Sequence, residues 1–263
     1  MARKPVVIVA GASKQAKSNT LGIGLAVTSI LLHKFGANVV ALSRTVSQGL
    51  KDLASEHLLT IECDIADETS LINAITKGEE AFNHIDGLVL NAAALDPLCR
   101  IVDNTPLSAW RNHFEVNFFS LITAVRAALP ALRKSELGGR VVFVSSGAAT
   151  KGTAGWGPYN ASKAAMNSLC RTLAEEEPNV TSIAVRPGVV DTAMQQAIRD
   201  QGSSYMTSDA HQMFLRLYAD GNLLKPEVPG HVIAALALKA SPDLSGQFIS
   251  WDEEKCTNYR ASE

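Results

Sequence analysis

Short apolar runs rich in β-branched residues alternate with longer segments of helical periodicity along nearly the whole chain. Residues 6–9, 38–42, 59–63, 87–90, 141–144 and 180–185 read as six strands, each closer to a continuous apolar run than to an alternating one. Between them, residues 25–35, 71–82, 105–133 and 158–177 place apolar side chains at helical spacing, and a short polar helix precedes the third strand. Strands buried on both faces and separated by helices predict a parallel sheet with helices on either side. The expected fold is α/β, a Rossmann-like doubly wound sheet in one domain spanning residues 1–263, with ligand at the carboxyl ends of the strands. Residues 195–230 break the alternation and hold Gly202, Gly221, Pro226, Pro229 and Gly230, as a lid-like excursion over one edge does. Residues 247–251 read as a last strand returning to the sheet.

Composition narrows the partners. Lys and Arg total 24 against 26 for Asp and Glu, a net charge of −2, so nucleic acid and acidic membrane surfaces are poor matches. With 46% hydrophobic and 19% charged residues, the chain has ample material for a core. Cys63, Cys99, Cys170 and Cys256 are widely spaced without a CxxC, and the six histidines are scattered without HExxH, so neither a disulfide framework nor a metal site is expected. No run of about 18 consecutive apolar residues stands out as a membrane span. Arg3-Lys4 and the apolar run behind them resemble a weak leader, but the run ends in a glycine turn assigned below to nucleotide binding. A cytoplasmic location is the resulting expectation.

After the first strand comes Gly11-Ala12-Ser13-Lys14, and Gly22-Ile23-Gly24 then opens a helix. Glycines there let the backbone approach a pyrophosphate, and the helix amino terminus favours its charge. An ordinary strand-to-helix turn has the same look, so the rest of the chain decides. About 20 residues beyond the glycines, NAD-binding folds carry an acid for the ribose. Here the second strand ends in Ser43-Arg44-Thr45, and a guanidinium matches a 2′-phosphate, which favours NADP(H); a solvated surface arginine is the plain alternative. Asp64-Ile65 after the third strand and Asn91-Ala92-Ala93 after the fourth are placed to line the adenosine half.

The most specific signal is Tyr159-Asn160-Ala161-Ser162-Lys163, which sets a phenol and an ammonium one helical turn apart. A positive charge beside a phenol lowers its pKa from the usual value of about 10 and makes it a usable acid. Ser146, thirteen residues earlier at the end of a strand, can hold a carbonyl oxygen with the tyrosine, or simply cap its own turn. It is not a hydrolase nucleophile, because Val144-Ser145-Ser146-Gly147 lacks the GxSxG elbow. Asn117 is an unfavourable mid-helix residue; it reads as a local backbone distortion that places a water near Lys163, against the plainer reading of an exposed or capped Asn.

These residues in this order resemble the short-chain dehydrogenase/reductase family over essentially the full length. The resemblance implies a catalytic tetrad of Asn117, Ser146, Tyr159 and Lys163. It also implies a nicotinamide-binding segment of Pro187, Gly188, Val190 and Thr192. Within the family the chain is most similar to the fungal benzil reductase branch, itself similar to sepiapterin reductases. That likeness lies in Val116-Asn117-Phe118-Phe119-Ser120, Gly155-Trp156, Glu175-Glu176-Glu177-Pro178, the run from Pro187 to Met194, Leu223-Leu224-Lys225-Pro226 and Ser245-Gly246-Gln247-Phe248. Two departures stand out. Ten residues separate Gly11 from Gly22 where the family has three, and Ala93 replaces the usual glycine of the Asn-Ala-Gly turn.

The resemblance implies NADPH-dependent reduction of a ketone or 1,2-diketone, with Tyr159 as proton donor and Lys163 also holding the nicotinamide ribose. Leu95, Trp156, Met194, Tyr205, Met206 and Phe214 are the candidates for an apolar substrate wall. Reduction of a pterin side-chain carbonyl or a 3-ketoacyl thioester is the competing activity. A nucleotide-binding sensor with an altered glycine loop is the competing class. Small-molecule substrates and assembly as a homodimer or homotetramer through the helices at 105–133 and 158–177 complete the expectation.

Overall fold

In the computed structural model, which describes residues 3–13 and 22–261, the apolar runs form seven strands. They are β1 (Val6–Ala10), β2 (Asn38–Ser43), β3 (Leu58–Glu62), β4 (Gly87–Leu90), β5 (Gly139–Val144), β6 (Val180–Arg186) and β7 (Phe248–Ser250). All pair in parallel, in the order β3-β2-β1-β4-β5-β6-β7. The order reverses at β1, so a crevice opens beyond the carboxyl ends of β1 and β4, where such sheets bind ligands.

Nine helices are seen among the described residues: α1 (Ile23–His33), α2 (Gln48–Asp52), α3 (Glu68–Phe82), α4 (Leu107–Phe114), α5 (Ser120–Leu132), α6 (Gly157–Glu176), α7 (Ala193–Gln201), α8 (Ser208–Ala219) and α9 (Glu227–Lys239). Period-two alternation along each strand sorts the core into two layers. Val6, Ile8 and Ala10 pack with Leu71 and Ile75 of α3, Leu121 and Ala128 of α5, and Met166 and Cys170 of α6. Val7 and Val9 face the other way, against Leu25 and Leu31 of α1 and Val232, Ile233 and Leu236 of α9. The four cysteines are buried and free.

Three features depart from the periodicity. The helical run at 105–133 is interrupted by a π-helical turn at Glu115–Phe119 between α4 and α5. Its 26 residues, Leu107–Leu132, are long and apolar enough to cross a membrane. Leu121, Ala124, Ala128 and Leu132, however, belong to the core. The excursion after β6 carries α7 and α8, each opened by a threonine whose hydroxyl accepts from the backbone three residues on, Thr192 and Thr207. Helix α9 has no counterpart in the sequence reading, because Pro229 and Gly230 read as breakers. Pro229 lies in the first turn, where the amide it lacks has no intrahelical partner. Gly230 faces α1, where a Cβ would come 3.3 Å from that of Ala26.

The amino-terminal edge of the sheet is pinned by one buried carboxylate. Asp86 accepts from Arg3 Nη2 at 2.8 Å, Val6 N at 2.9 Å and Ser135 Oγ at 2.6 Å, tying the start of β1 to the segment before β5. At the centre of the sheet Phe143 is fully buried. Phe143→Ala is expected to cost about 3–5 kcal/mol of unfolding free energy, read from urea denaturation.

Candidate active site

A cleft of about 730 Å³ lies along the carboxyl ends of the strands. Its floor is the turn after β1. Gly11 adopts φ +87°, a left-handed conformation, and a Cβ there would lie 2.6 Å from the Ala92 backbone. Gly24, in the first turn of α1, packs so closely that a Cβ would fall 2.2 Å from Gly11 O and 2.6 Å from Asn91 Nδ2. Asn91 locks this junction by donating to Gly11 O at 2.8 Å. The amino terminus of α1, capped by Gly22 without a side-chain hydrogen bond, points its first-turn amides at the cleft beside Ile23, which also lines it. A cradle that side chains would fill, at a helix amino terminus, suits a pyrophosphate. Lys14 falls outside the described residues.

At the adenosine end, Ser13 Oγ and Ser43 Oγ both donate to the Thr45 carbonyl, at 2.7 and 2.9 Å, and fix the loop that displays Arg44. Arg44 is exposed and makes no ion pair among the described residues. Glu62, which the sequence reading did not single out, lies opposite Ser43 in register and accepts from Val46 N at 3.3 Å. Asp64, Ile65, Asn91, Ala92 and Ala93 also line the cleft. Among the described residues that line the cleft, Arg44, Lys151, Lys163 and Arg186 outnumber the one carboxylate, Asp64, which favours a polyanionic guest.

At the other end, Ser146, Tyr159 and Lys163 line the cleft together, beside Pro187, Gly188, Val190 and Thr192. Ser146 lies just beyond β5 and caps the turn that follows it, accepting from Ala148 N at 3.1 Å. Tyr159 and Lys163 stand on one face of α6, and the Lys163 ammonium nitrogen is 5.7 Å from the phenol ring centre. Lys163 Nζ also donates to Val144 O at 2.7 Å. Burial pushes the phenol up to about 12, partly offset by a hydrogen bond with Ser146. Burial also brings the Lys163 ammonium down to about 7. Burial therefore keeps the phenol protonated across the neutral range.

Asn117 does not line the cleft; it lies in the π-helical turn with no exposed surface. Its Oδ1 accepts from Ala94 N and its Nδ2 donates to Ala94 O, both at 2.8 Å. Nδ2 also reaches His113 Nε2 at 2.8 Å. His113, overlooked in the sequence reading, is the hub behind Tyr159. Its Nδ1 lies 2.7 Å from Asp96 O and therefore carries the proton, so Nε2 is the acceptor. Burial, followed by the Lys163 charge, lowers its pKa, in keeping with a neutral ring. Ser162 Oγ is 3.1 Å from Nε2 and donates to Tyr159 O at 2.9 Å. Four-residue spacing between His113 and Asn117 was the one signal for this pair.

The far wall is apolar. Trp156 stacks on Phe214 at 5.6 Å and meets Tyr159 edge-on at 5.7 Å, and Met194 lines the cleft with them. Leu95, Tyr205 and Met206, expected on this wall, instead form the layer behind it. They pack in the same apolar cluster, and Tyr205 is held there by Arg100 Nε on its carbonyl at 3.1 Å. Gln195, Ile198, Met213 and Leu217 take their place at the surface of the cleft. Among the described residues no group of three His, Cys, Asp or Glu side chains could hold a metal ion.

Comparison with known proteins agrees with this geometry. Residues 5–203 match the family described as short chain dehydrogenase. An uncharacterised oxidoreductase of Schizosaccharomyces pombe is 38% identical over 252 residues, covering 94% of this chain and 96% of its own. A Saccharomyces cerevisiae protein named benzil reductase ((S)-benzoin forming) is 35% identical, covering 95% and 97%. The crystal structure of a short chain dehydrogenase/reductase from Saccharomyces cerevisiae superposes with a TM-score of 0.90 at 34% identity, covering 98% and 100%. The chain belongs to the short-chain dehydrogenase/reductase family, NAD(P)(H)-dependent oxidoreductases acting on alcohol and carbonyl groups.

Proposed function

We propose that this oxidoreductase is an NADPH-dependent reductase of bulky ketones, 1,2-diketones of the benzil type above all. The observation that carries the reading is that Ser146 and Tyr159 share one cleft with the Trp156–Phe214 stack, whose indole meets the Tyr159 ring edge-on. Polar hydrogen-bonding groups beside stacked aromatics suit a carbonyl flanked by aromatic rings. The relative named for benzil reduction supports the same substrate class. A nicotinamide dinucleotide bound along the glycine turn supplies the hydride. Arg44, exposed and without an ion pair among the described residues, favours a 2′-phosphate, and Glu62, already bonded to the backbone of Val46, offsets it only in part.

Ser146 and the Tyr159 hydroxyl hold the substrate oxygen and stabilise the charge that grows on it. Tyr159 then gives up its proton. Because burial keeps this phenol neutral, it holds the proton that reduction needs. Lys163, oriented by Val144 O, returns the proton to Tyr159. Both ends of the Asn117 carboxamide are already engaged, so the water that recharges Lys163 rests on the distorted backbone of the π turn. Half-exposed Phe119 at the head of α5 fits assembly of two or four copies through α5 and α6.

Tyr159→Phe is expected to lower the reduction rate of benzil by at least about a hundredfold while NADPH binding, followed by fluorescence, stays within about twofold. Unchanged turnover would overturn the mechanism. Arg44→Ala is expected to weaken NADPH about tenfold more than NADH, and a wild-type preference for NADH would contradict the cofactor assignment. Lys163 links the site to stability. Its folded pKa lies below the unfolded value, so the unfolded chain binds more protons between pH 7 and 10.5. The resulting penalty is full below pH 7 and is relieved as pH rises toward 10.5. Lys163→Met should therefore be more stable than wild type at pH 6.5, by a margin that shrinks at pH 9.5, as denaturant titrations at the two pH values would show.

A further inference from the structure

The cleft surface contributed by α7 and α8 consists of Ala193, Met194, Ile198, Met213, Phe214, Leu217 and one residue with a polar side chain, Gln195. Gln195 is only 3% exposed. Its Oε1 accepts from Arg199 Nη1 at 3.2 Å. A guanidinium can only donate, so this contact fixes which end of the amide is oxygen and turns the NH₂ group away from Arg199. Arg199 is itself held in place: its guanidinium carbon sits 3.9 Å from the Tyr218 ring centre, and its carbonyl accepts from His211 Nε2 at 3.0 Å. The Gln195 amide is thus oriented by α8 through Arg199.

The NH₂ group has no hydrogen-bond partner among the described residues. It is also not among the sealed, unsatisfied polar atoms, which are Trp156 Nε1 and Asn160 Oδ1. It therefore keeps contact with open volume, and the volume that Gln195 lines is the cleft. An oriented donor in an otherwise apolar wall loses its hydration when an aromatic guest fills the site, and the loss is recovered only if the guest brings an acceptor.

We propose that the Gln195 carboxamide is a second anchor for the substrate, donating to the non-reacting oxygen of a 1,2-dicarbonyl while Ser146 and Tyr159 hold the oxygen being reduced. This deepens the ketone reading and rests on it. Gln195 thereby becomes a specificity-determining residue: it favours 1,2-diketones and 2-keto esters over ketones of the same shape with a methylene in place of the second carbonyl.

The test compares benzil with deoxybenzoin, which differs by that replacement, in wild type, Gln195→Met and Arg199→Met, with NADPH as reductant. For Gln195→Met, kcat/KM for benzil is expected to fall about tenfold more than for deoxybenzoin, chiefly through KM, with the NADPH Kd within about twofold of wild type. Arg199→Met, which frees the amide without removing it, should shift the same ratio in the same direction by less. It also provides the measurement if Gln195→Met does not fold. Equal losses on both ketones, or NADPH affinity falling in step, would overturn the Gln195 assignment while leaving the reductase reading intact. A wild-type enzyme that reduces neither ketone would overturn the reading and the anchor with it.

Discussion

The reactive half of the molecule depends on one buried carboxamide. Asn117 bonds both backbone groups of Ala94, which follows β4, and reaches His113 on α4, whose ring in turn meets Ser162 on α6. A loop, a π turn and two helices are fastened by side chains with almost no access to water. Such a network is stable only if every member is satisfied, because an orphaned polar group in that environment is costly. The π turn makes the arrangement possible, since it resets the helix phase where α4 passes into α5. The setting of Tyr159 in the cleft therefore rests on contacts around its own turn of α6, where Ser162 donates to its carbonyl and the His113 ring meets its phenol edge-on.

The electrostatics of the cleft divide along its length. At one end Arg44 stands in solvent, where charge is screened. At the chemical end Tyr159 and Lys163 are buried, and desolvation drives both toward neutral forms. A proton passed from a Lys163 ammonium to a Tyr159 phenolate leaves both groups in the neutral forms that burial favours. That suits a site whose other occupants are an apolar wall and an aromatic pair.

Much of this was legible from residue order. The strands declared themselves because a parallel sheet buried on both faces demands unbroken apolar runs, as at Val6–Ala10 and Gly139–Val144. Ser146, Tyr159 and Lys163 come together at the cleft because the first follows β5 closely and the other two share one face of α6. Other features are properties of the packed state. His113 looks like a solitary ring until α6 packs over it, and the π turn leaves no local signature beyond Asn117 itself. Helix α9 was hidden by Pro229 and Gly230, residues that break a helix in its interior but not in a first turn facing α1. Whether an apolar side chain lines a cleft or backs it is decided by neighbours distant in sequence. That is why Leu95, Tyr205 and Met206 retreated behind the wall and Gln195 came forward.

The carboxylate of Asp86 has a consequence for how such a protein changes over evolutionary time. It gathers Arg3, Val6 and Ser135 at the edge of the sheet away from the cleft, so the register of the central strands is anchored where no chemistry takes place. Loops at the opposite edge can then be lengthened or exchanged while the strands beneath them keep their register. The α7–α8 excursion lies at that permissive edge. A scaffold pinned at one end can acquire a new substrate preference by altering the other, without having to refold.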